Sequence, residues 1–261
     1  MFPKPEFFGQ ALPWESLMHL IGLVCSLVFM FIYYKRYGKS GLSFFSFAML
    51  AVVLIGVGYA GSRVMEVLEV CLVNGMDALP YTLSDLLLYK GGLRWYGALF
   101  FNLLWLPFLA FYVGWKNIAT WFDVLGITLS LGTAIGKLGC QFSGHGCYGI
   151  ATTLPWGMYY PYGTAPNMLP AHPTPLYDSL FHFALFLLLL WWHSRQKIAG
   201  QTFFIFLFLS ATANILVETV RTNKAILFNL SLAQCVYTLI ALVALGSYYS
   251  LKNTPNIPFI R

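Results

Sequence analysis

Two short polar stretches interrupt an otherwise apolar sequence, and they carry the residue types that could do chemistry. The first runs Gly136-Lys137-Leu138-Gly139-Cys140-Gln141-Phe142-Ser143-Gly144-His145-Gly146-Cys147-Tyr148-Gly149. The second is His172-Pro173-Thr174-Pro175-Leu176-Tyr177-Asp178. A lysine can hold an anion, an imidazole can move a proton, and a thiol can act as nucleophile once ionised. The glycines let backbone approach a ligand closely and leave amide donors available for an anion. Plainer readings stand beside these: His145 as an exposed loop residue and His172 as a cap at the mouth of a helix. Cys140, His145, Cys147 and His172 are of types that bind zinc, but Cys-x4-His-x-Cys is no standard ligand spacing, so no metal and no cofactor is expected. A Cys140–Cys147 disulfide across six intervening residues is sterically open.

Further charges stand where an apolar run makes them costly. Arg63 follows the second apolar run, three residues before Glu66, which suits a local pair as well as a cavity-lining role. Asn214, Glu218 and Arg221 are spaced four and three apart, so a helix puts them on one face. There Arg221 could donate to a phosphate with Glu218 orienting it, or the two could form a structural ion pair. Lys90-Gly91-Gly92-Leu93-Arg94-Trp95-Tyr96 pairs basic residues with glycines and aromatics, which fits an anion site or an interfacial anchor.

These groups must be positioned by membrane helices. Hydrophobic residues make up 59% of the 261, charged residues 9%, a balance that places the chain in a bilayer. Apolar runs of spanning length occur at about 16–34, 43–60, 95–114, 121–139, 175–193, 202–219 and 230–250. The expected fold is an all-α membrane protein of about seven transmembrane helices with short external elements, forming a single domain over 1–261. The first run reads as a retained anchor, because Pro13 and Glu15 stand where a signal peptide carries basic residues. Lys35, Arg36, Lys39, Lys116, Arg195, Lys197, Lys252 and Arg261 mark cytoplasmic ends, which puts the N-terminus outside, the C-terminus in the cytoplasm and the segment of about 136–178 on the external face. The net charge of +6 then reflects topology and lipid headgroups and calls for no nucleic acid.

Taken in order, Gly61-Ser62-Arg63, Gly91-Gly92-Leu93, the Lys137–Gly149 run with His172–Asp178, and Val217-Glu218-Thr219-Val220-Arg221 resemble the motifs of the bacterial prolipoprotein diacylglyceryl transferases. The resemblance implies a bacterial inner-membrane enzyme that moves diacylglyceryl from phosphatidylglycerol to the lipobox cysteine thiol of a prolipoprotein. A thioether forms and glycerol 1-phosphate leaves. It implies catalytic roles for His145, His172, Tyr96 and Glu218. Substrate contacts fall to Arg63, Gly91, Gly92, Arg94, Lys137, Cys140, Ser143, Gly144, Gly149, Asn214 and Arg221. Partners would be phosphatidylglycerol, the lipobox peptide and membrane lipid. Several positions depart from the family pattern. Lys137 stands for an arginine, Tyr96 for a histidine and Asn214 for an arginine, Glu15 aligns loosely with a tyrosine, and one residue is added between Lys137 and Gly149. These departures suggest a proton acceptor relocated to His145, and they keep two alternatives open: a lipid-binding protein without transfer, and a transferase for another acceptor.

Overall fold

A computed structural model describes residues 6–7, 10–11, 13–37, 44–74, 94–114, 118–221, 225–227 and 230–253. The chain forms two compact units, residues 39–118 and the remainder.

In the larger unit a short hairpin of β1 (Glu6–Phe7) and β2 (Gln10–Ala11) leads into α1 (Trp14–Tyr37). The long helix α5 (Ile118–Ser143) follows after the smaller unit. A hairpin of β3 (Met158–Tyr160) and β4 (Asn167–Ala171) then joins α5 to α6 (Thr174–His193). The unit closes with α7 (Gln201–Glu218), the hairpin of β5 (Ala225–Leu227) and β6 (Leu230–Ser231), and α8 (Leu232–Asn253). The smaller unit holds α2 (Phe44–Asn74), α3 (Trp95–Leu104) and α4 (Leu106–Val113).

The helices are polar inside and apolar outside. Along α6, Leu180, Phe183, Leu187 and Trp191 are exposed while Asp178, His182, Leu185, Leu189 and His193 are buried. Water would reward the opposite arrangement, whereas hydrocarbon accepts exposed leucine and forces polar groups to find partners inside. Five helices among the described residues, α1, α5, α6, α7 and α8, are long and apolar enough to span a membrane. The protein is therefore an all-α, multi-pass membrane protein.

Two of the seven expected runs take a different form. The second is a single helix of 31 residues that continues past the apolar stretch to Asn74. At 1.5 Å per residue it reaches about 46 Å, longer than the hydrocarbon thickness, and it carries Arg63, Glu66 and Glu69 on the helix itself, as the continuation of the apolar run through Glu69 suggests. The run at 95–114 divides at Trp105 into α3 and α4. Pro107 lacks an N–H and its ring crowds the carbonyl four residues back, which ends α3 one turn earlier.

Small residues let the spanning helices approach. A Cβ at Gly22 of α1 would lie 3.0 Å from the Gly132 carbonyl oxygen of α5, and Ser26 Oγ donates to the Thr128 carbonyl at 3.3 Å. This is the close packing that substitutes for hydrophobic driving force between helices in lipid. Helix α5 is joined to α6 by Ser179 Oγ donating to the Ala134 carbonyl at 2.7 Å, and α6 to α7 by His182 Nε2 and Ser210 Oγ at 3.1 Å.

Where α5 begins, Asp123 is fully buried and accepts hydrogen bonds from Gln196 Nε2 (2.7 Å), Gly200 N (2.7 Å) and Phe203 N (3.0 Å). It clamps the turn between α6 and α7, where Gly200 adopts φ 95°, a conformation costly for a residue with a Cβ.

Candidate functional site

The opposite end of α5 carries a cluster of charges drawn from three helix ends. Helix α5 continues to Ser143, so Lys137, Cys140 and Ser143 occupy its last turns and not the external loop that the apolar pattern suggested. Lys137 Nζ lies 2.7 Å from Asp178 Oδ2, one turn into α6, and Arg221 Nη2 lies 2.8 Å from the same oxygen. Glu218, the last residue of α7, places Oε2 3.6 Å from Arg221 Nη1 and accepts at Oε1 from Ser231 Oγ, at the entry to α8. The Asp178 side chain is 2% exposed, whereas Lys137 and Arg221 keep 27% and 20%. The carboxylate is thus sequestered behind cations that still reach the surface. Burial disfavours the charge on Arg221, but Asp178 and Glu218 outweigh it and hold the guanidinium protonated. Arg221 Nε is buried without a hydrogen-bond partner among the described residues, a donor that a phosphate oxygen could satisfy.

A second cluster forms just beyond the helix end. Gly144 and Gly146 adopt φ 57° and 77°, the left-handed conformation that lets the chain turn back over the last turn of α5. The His145 amide donates to the Cys140 carbonyl at 3.4 Å. His145 Nε2 lies 3.4 Å from Glu15 Oε2 on the first turn of α1, and its Nδ1 lies 3.7 Å from Cys147 Sγ. Cys140 and Cys147 are both free thiols. The influence of the Cys140 thiol is the chief cause holding the Cys147 thiol well below its ordinary value, with His145 and the charge on Lys137 adding to it. His145 is pushed up in turn by Cys147 and then by Glu15. Each group thus favours the charged form of the other.

The loop is tied to the start of α6. Gly149 N donates to the His172 carbonyl (2.8 Å), Ile150 N to the Val220 carbonyl (2.8 Å), and Thr174 Oγ1 to the Cys147 carbonyl. A Cβ at Gly149 would collide with the Val220 carbonyl oxygen, so this glycine serves backbone packing. Ser143 and Gly144 offer their carbonyls to Thr164 N (3.0 Å) and Ala165 N (3.1 Å), which fastens the β3–β4 segment down. Ser143 Oγ turns to the Cys140 carbonyl at 3.4 Å. His172 Nδ1 lies 3.2 Å from Tyr177 OH, which accepts from Trp156 Nε1 at 2.8 Å.

Of the residues expected from sequence, Lys137 and Arg221 converge on the Asp178 carboxylate and Glu218 pairs with Arg221, while Cys140, His145, Gly144, Ser143, Gly149 and His172 shape the adjoining loop. Asn214 donates to the Ser210 carbonyl of its own helix at 2.8 Å. In the smaller unit Arg94 pairs with Glu66 (2.7 Å) and Glu69 (2.9 Å), and Tyr96 OH donates to the Glu69 carboxylate. Glu66 thus pairs with Arg94, and Arg63 is buried in α2. Lys90, Gly91 and Gly92 lie outside the described residues. Sequence reasoning missed Asp178 and Glu15 as site members. Asp178 was legible as a carboxylate in a membrane helix, where a charge needs a reason; Glu15 was masked by the ordinary preference for an acid in a first helical turn.

The inside-out helices define an integral membrane protein, with two cations, Lys137 and Arg221, gathered at one helix end. The family model for prolipoprotein diacylglyceryl transferase matches residues 6–250, and the chain belongs to that family. It is similar to the phosphatidylglycerol–prolipoprotein diacylglyceryl transferase of Clostridioides difficile, 27% identical over 258 residues, covering 96% of each chain. The protein of that name from Thermotoga maritima is 28% identical over 255 residues, 94% of this chain and 83% of that one. The one from Leptospira interrogans is 35% identical over 152 residues, but the aligned part spans 56% of this chain and less than half, 46%, of that protein.

Proposed function

We propose that the protein transfers diacylglyceryl from phosphatidylglycerol to the cysteine thiol of a prolipoprotein lipobox, in a bacterial inner membrane with the N-terminus external and the C-terminus cytoplasmic. The observation that carries this reading is the pair Lys137 and Arg221 held on one buried carboxylate oxygen. Two cations fixed 2.7 and 2.8 Å from Asp178 are spaced to receive a phosphodiester and to stabilise it as the glyceryl C–O bond breaks. Asp178 keeps them charged and in place when lipid is absent. Glu218 orients the guanidinium, and the unpartnered Arg221 Nε supplies a further donor. Lys137 in place of an arginine keeps the charge and gives up the planar fork, so bidentate recognition falls to Arg221.

The acceptor thiol must lose a proton to attack carbon. His145 is a weak candidate for that task, because Glu15 and Cys147 engage both of its ring nitrogens. His172 has Nδ1 steadied by Tyr177, and we assign it the proton. Arg63, Arg94 and Tyr96 belong to the proposed lipid-contact set by family motif alone. The orientation is supported by Lys35 and Arg36 in the last turn of α1 and Lys252 in that of α8.

The test uses purified protein in nanodiscs, labelled phosphatidylglycerol and a lipobox peptide. A labelled thioether peptide and released glycerol phosphate are expected. Retained lipid binding without product overturns the transferase reading in favour of a lipid-binding protein.

A further inference from the structure

Helix α8 begins on a serine whose hydroxyl reaches the carboxylate beside Arg221. Ser231 closes β6 and immediately precedes α8, and Gln234 stands three residues on, the spacing of a capping box. Both halves of that box are made: Gln234 N donates to Ser231 Oγ at 3.2 Å, and Ser231 N donates to Gln234 Oε1 at 2.9 Å. A serine hydroxyl accepts through its lone pairs and has one proton to give. Here a lone pair serves the helix, and the proton goes to Glu218 Oε1 at 3.0 Å. The β5–β6 hairpin makes this contact by returning the chain to the end of α7, with Ala225 opposite Ser231.

The other carboxylate oxygen, Glu218 Oε2, lies 3.6 Å from Arg221 Nη1. That is too long for a hydrogen bond to align the two groups, so the aim of Oε2 is set from the Oε1 side, where Ser231 donates. Ser231 and Gln234 are 6% and 9% exposed, and the Glu218 side chain 2%. Water has little room to stand in for the hydroxyl.

We propose that Ser231 is a positioning residue for Arg221: the cap of α8 fixes the Glu218 carboxylate, and through it the guanidinium that the transferase reading above assigns to phosphate. The task of Arg221 rests on that reading; its placement does not. One hydroxyl thus couples the register at which α8 starts to the geometry of the anion site, two features that a sequence would let vary separately.

The experiment uses the full-length protein in nanodiscs and two readouts. One is transfer from phosphatidylglycerol to a lipobox peptide. The other is the rate at which phenylglyoxal modifies Arg221 in phosphatidylcholine nanodiscs, read by peptide mass spectrometry. Ser231→Ala should lower kcat/KM by about tenfold, as expected for a lost hydrogen bond to a charged group, and speed modification of Arg221 by about threefold or more. Ser231→Gly lacks the same hydroxyl but is a better helix cap than alanine, so it should match Ser231→Ala in both readouts while melting nearer the wild type. Ser231→Thr keeps donor and acceptor and should restore both. Near-wild-type readouts for Ser231→Gly, with losses across the series that follow the melting midpoint, reduce Ser231 to a cap and overturn the proposal. Lowered transfer with Arg221 modified at the wild-type rate overturns it too. Added to Glu218→Ala, Ser231→Ala should change Arg221 modification by less than about twofold, because the serine acts through the carboxylate; full additivity overturns that route. Where Ser231→Ala fails to fold, the comparison of Ser231→Gly with Ser231→Thr decides. A wild type that transfers nothing while the modification pattern holds defeats the transferase reading and leaves the placement of Arg221 by Ser231 standing.

Discussion

Helix α5 presents a buried carboxylate cluster at each end, and the two differ in what surrounds the charge. Asp123 meets a side-chain amide and two backbone amides, all neutral, within 2.7 to 3.0 Å. Its donors are as buried as it is, and the cluster is closed. Asp178 meets a lysine and an arginine whose heads keep access to the surface. Neutral donors saturate a carboxylate and fix a turn. Cations shared with a carboxylate stay available to a second anion, because each still has donors to spend. The same residue type thus makes a structural clamp at one end and the core of the proposed binding site at the other.

Several substitutions should break that contrast, from the largest effect to the smallest. His172→Ala should lower transfer by about 10²–10⁴-fold, the usual contribution of a general base, with lipid binding kept; His145→Ala should leave transfer within about tenfold of wild type. Product formation by each variant checks this. Arg221→Ala should cost roughly 10²–10³-fold in transfer with the helical content intact by circular dichroism. At the closed end, Asp123→Leu orphans three buried donors at roughly 1–3 kcal/mol each. It should depress the melting midpoint sharply while the specific activity of the protein that remains folded is unchanged.

Asp178→Asn should also lower the midpoint, since two cations lose their counterion, but phosphatidylglycerol should restore much of the loss. No lipid should rescue Asp123→Asn. Melting of both variants with and without anionic lipid separates a site from a clamp, and equal behaviour would erase the distinction.

The smallest effect lies in the His145–Cys147 pair. The Cys147 value is depressed, so its stabilising contribution is present above its unfolded value and is lost as pH falls through the folded one. The His145 value is raised, so its contribution is complete below its unfolded value and is lost as pH rises through the folded one. Both groups are charged in the window between the two folded values. Alkylation of Cys147 should therefore persist well below the ~8.5 of a free thiol, and a profile centred on that value would remove the pairing.

Much of the fold was legible in the chain. Apolar runs of spanning length require helices, because backbone amides in hydrocarbon have nowhere else to bond, and α1, α5, α6, α7 and α8 fall where those runs lie. Helix ends were less legible: α5 runs on through Lys137, Cys140 and Ser143 because internal partners make its polar residues acceptable. Motif order likewise led to Lys137, Glu218 and Arg221, since uncompensated charge is rare in apolar sequence.

Partnership was a different matter. The residues alone left Arg63 between a pair with Glu66 and a cavity-lining role, gave Lys137 and Arg221 a phosphate, and put His145 in an exposed loop or at the site as proton acceptor. Folding paired Glu66 with Arg94, placed Asp178 between the two cations, and engaged His145 with Glu15 from the far end of the sequence. Membrane insertion, helix type and the inventory of reactive groups follow from local composition, because solvation acts on each segment separately. Which charge neutralises which depends on distances between segments more than forty residues apart in the chain, such as Lys137 and Asp178 or Asp178 and Arg221. Only the packed helices set those distances.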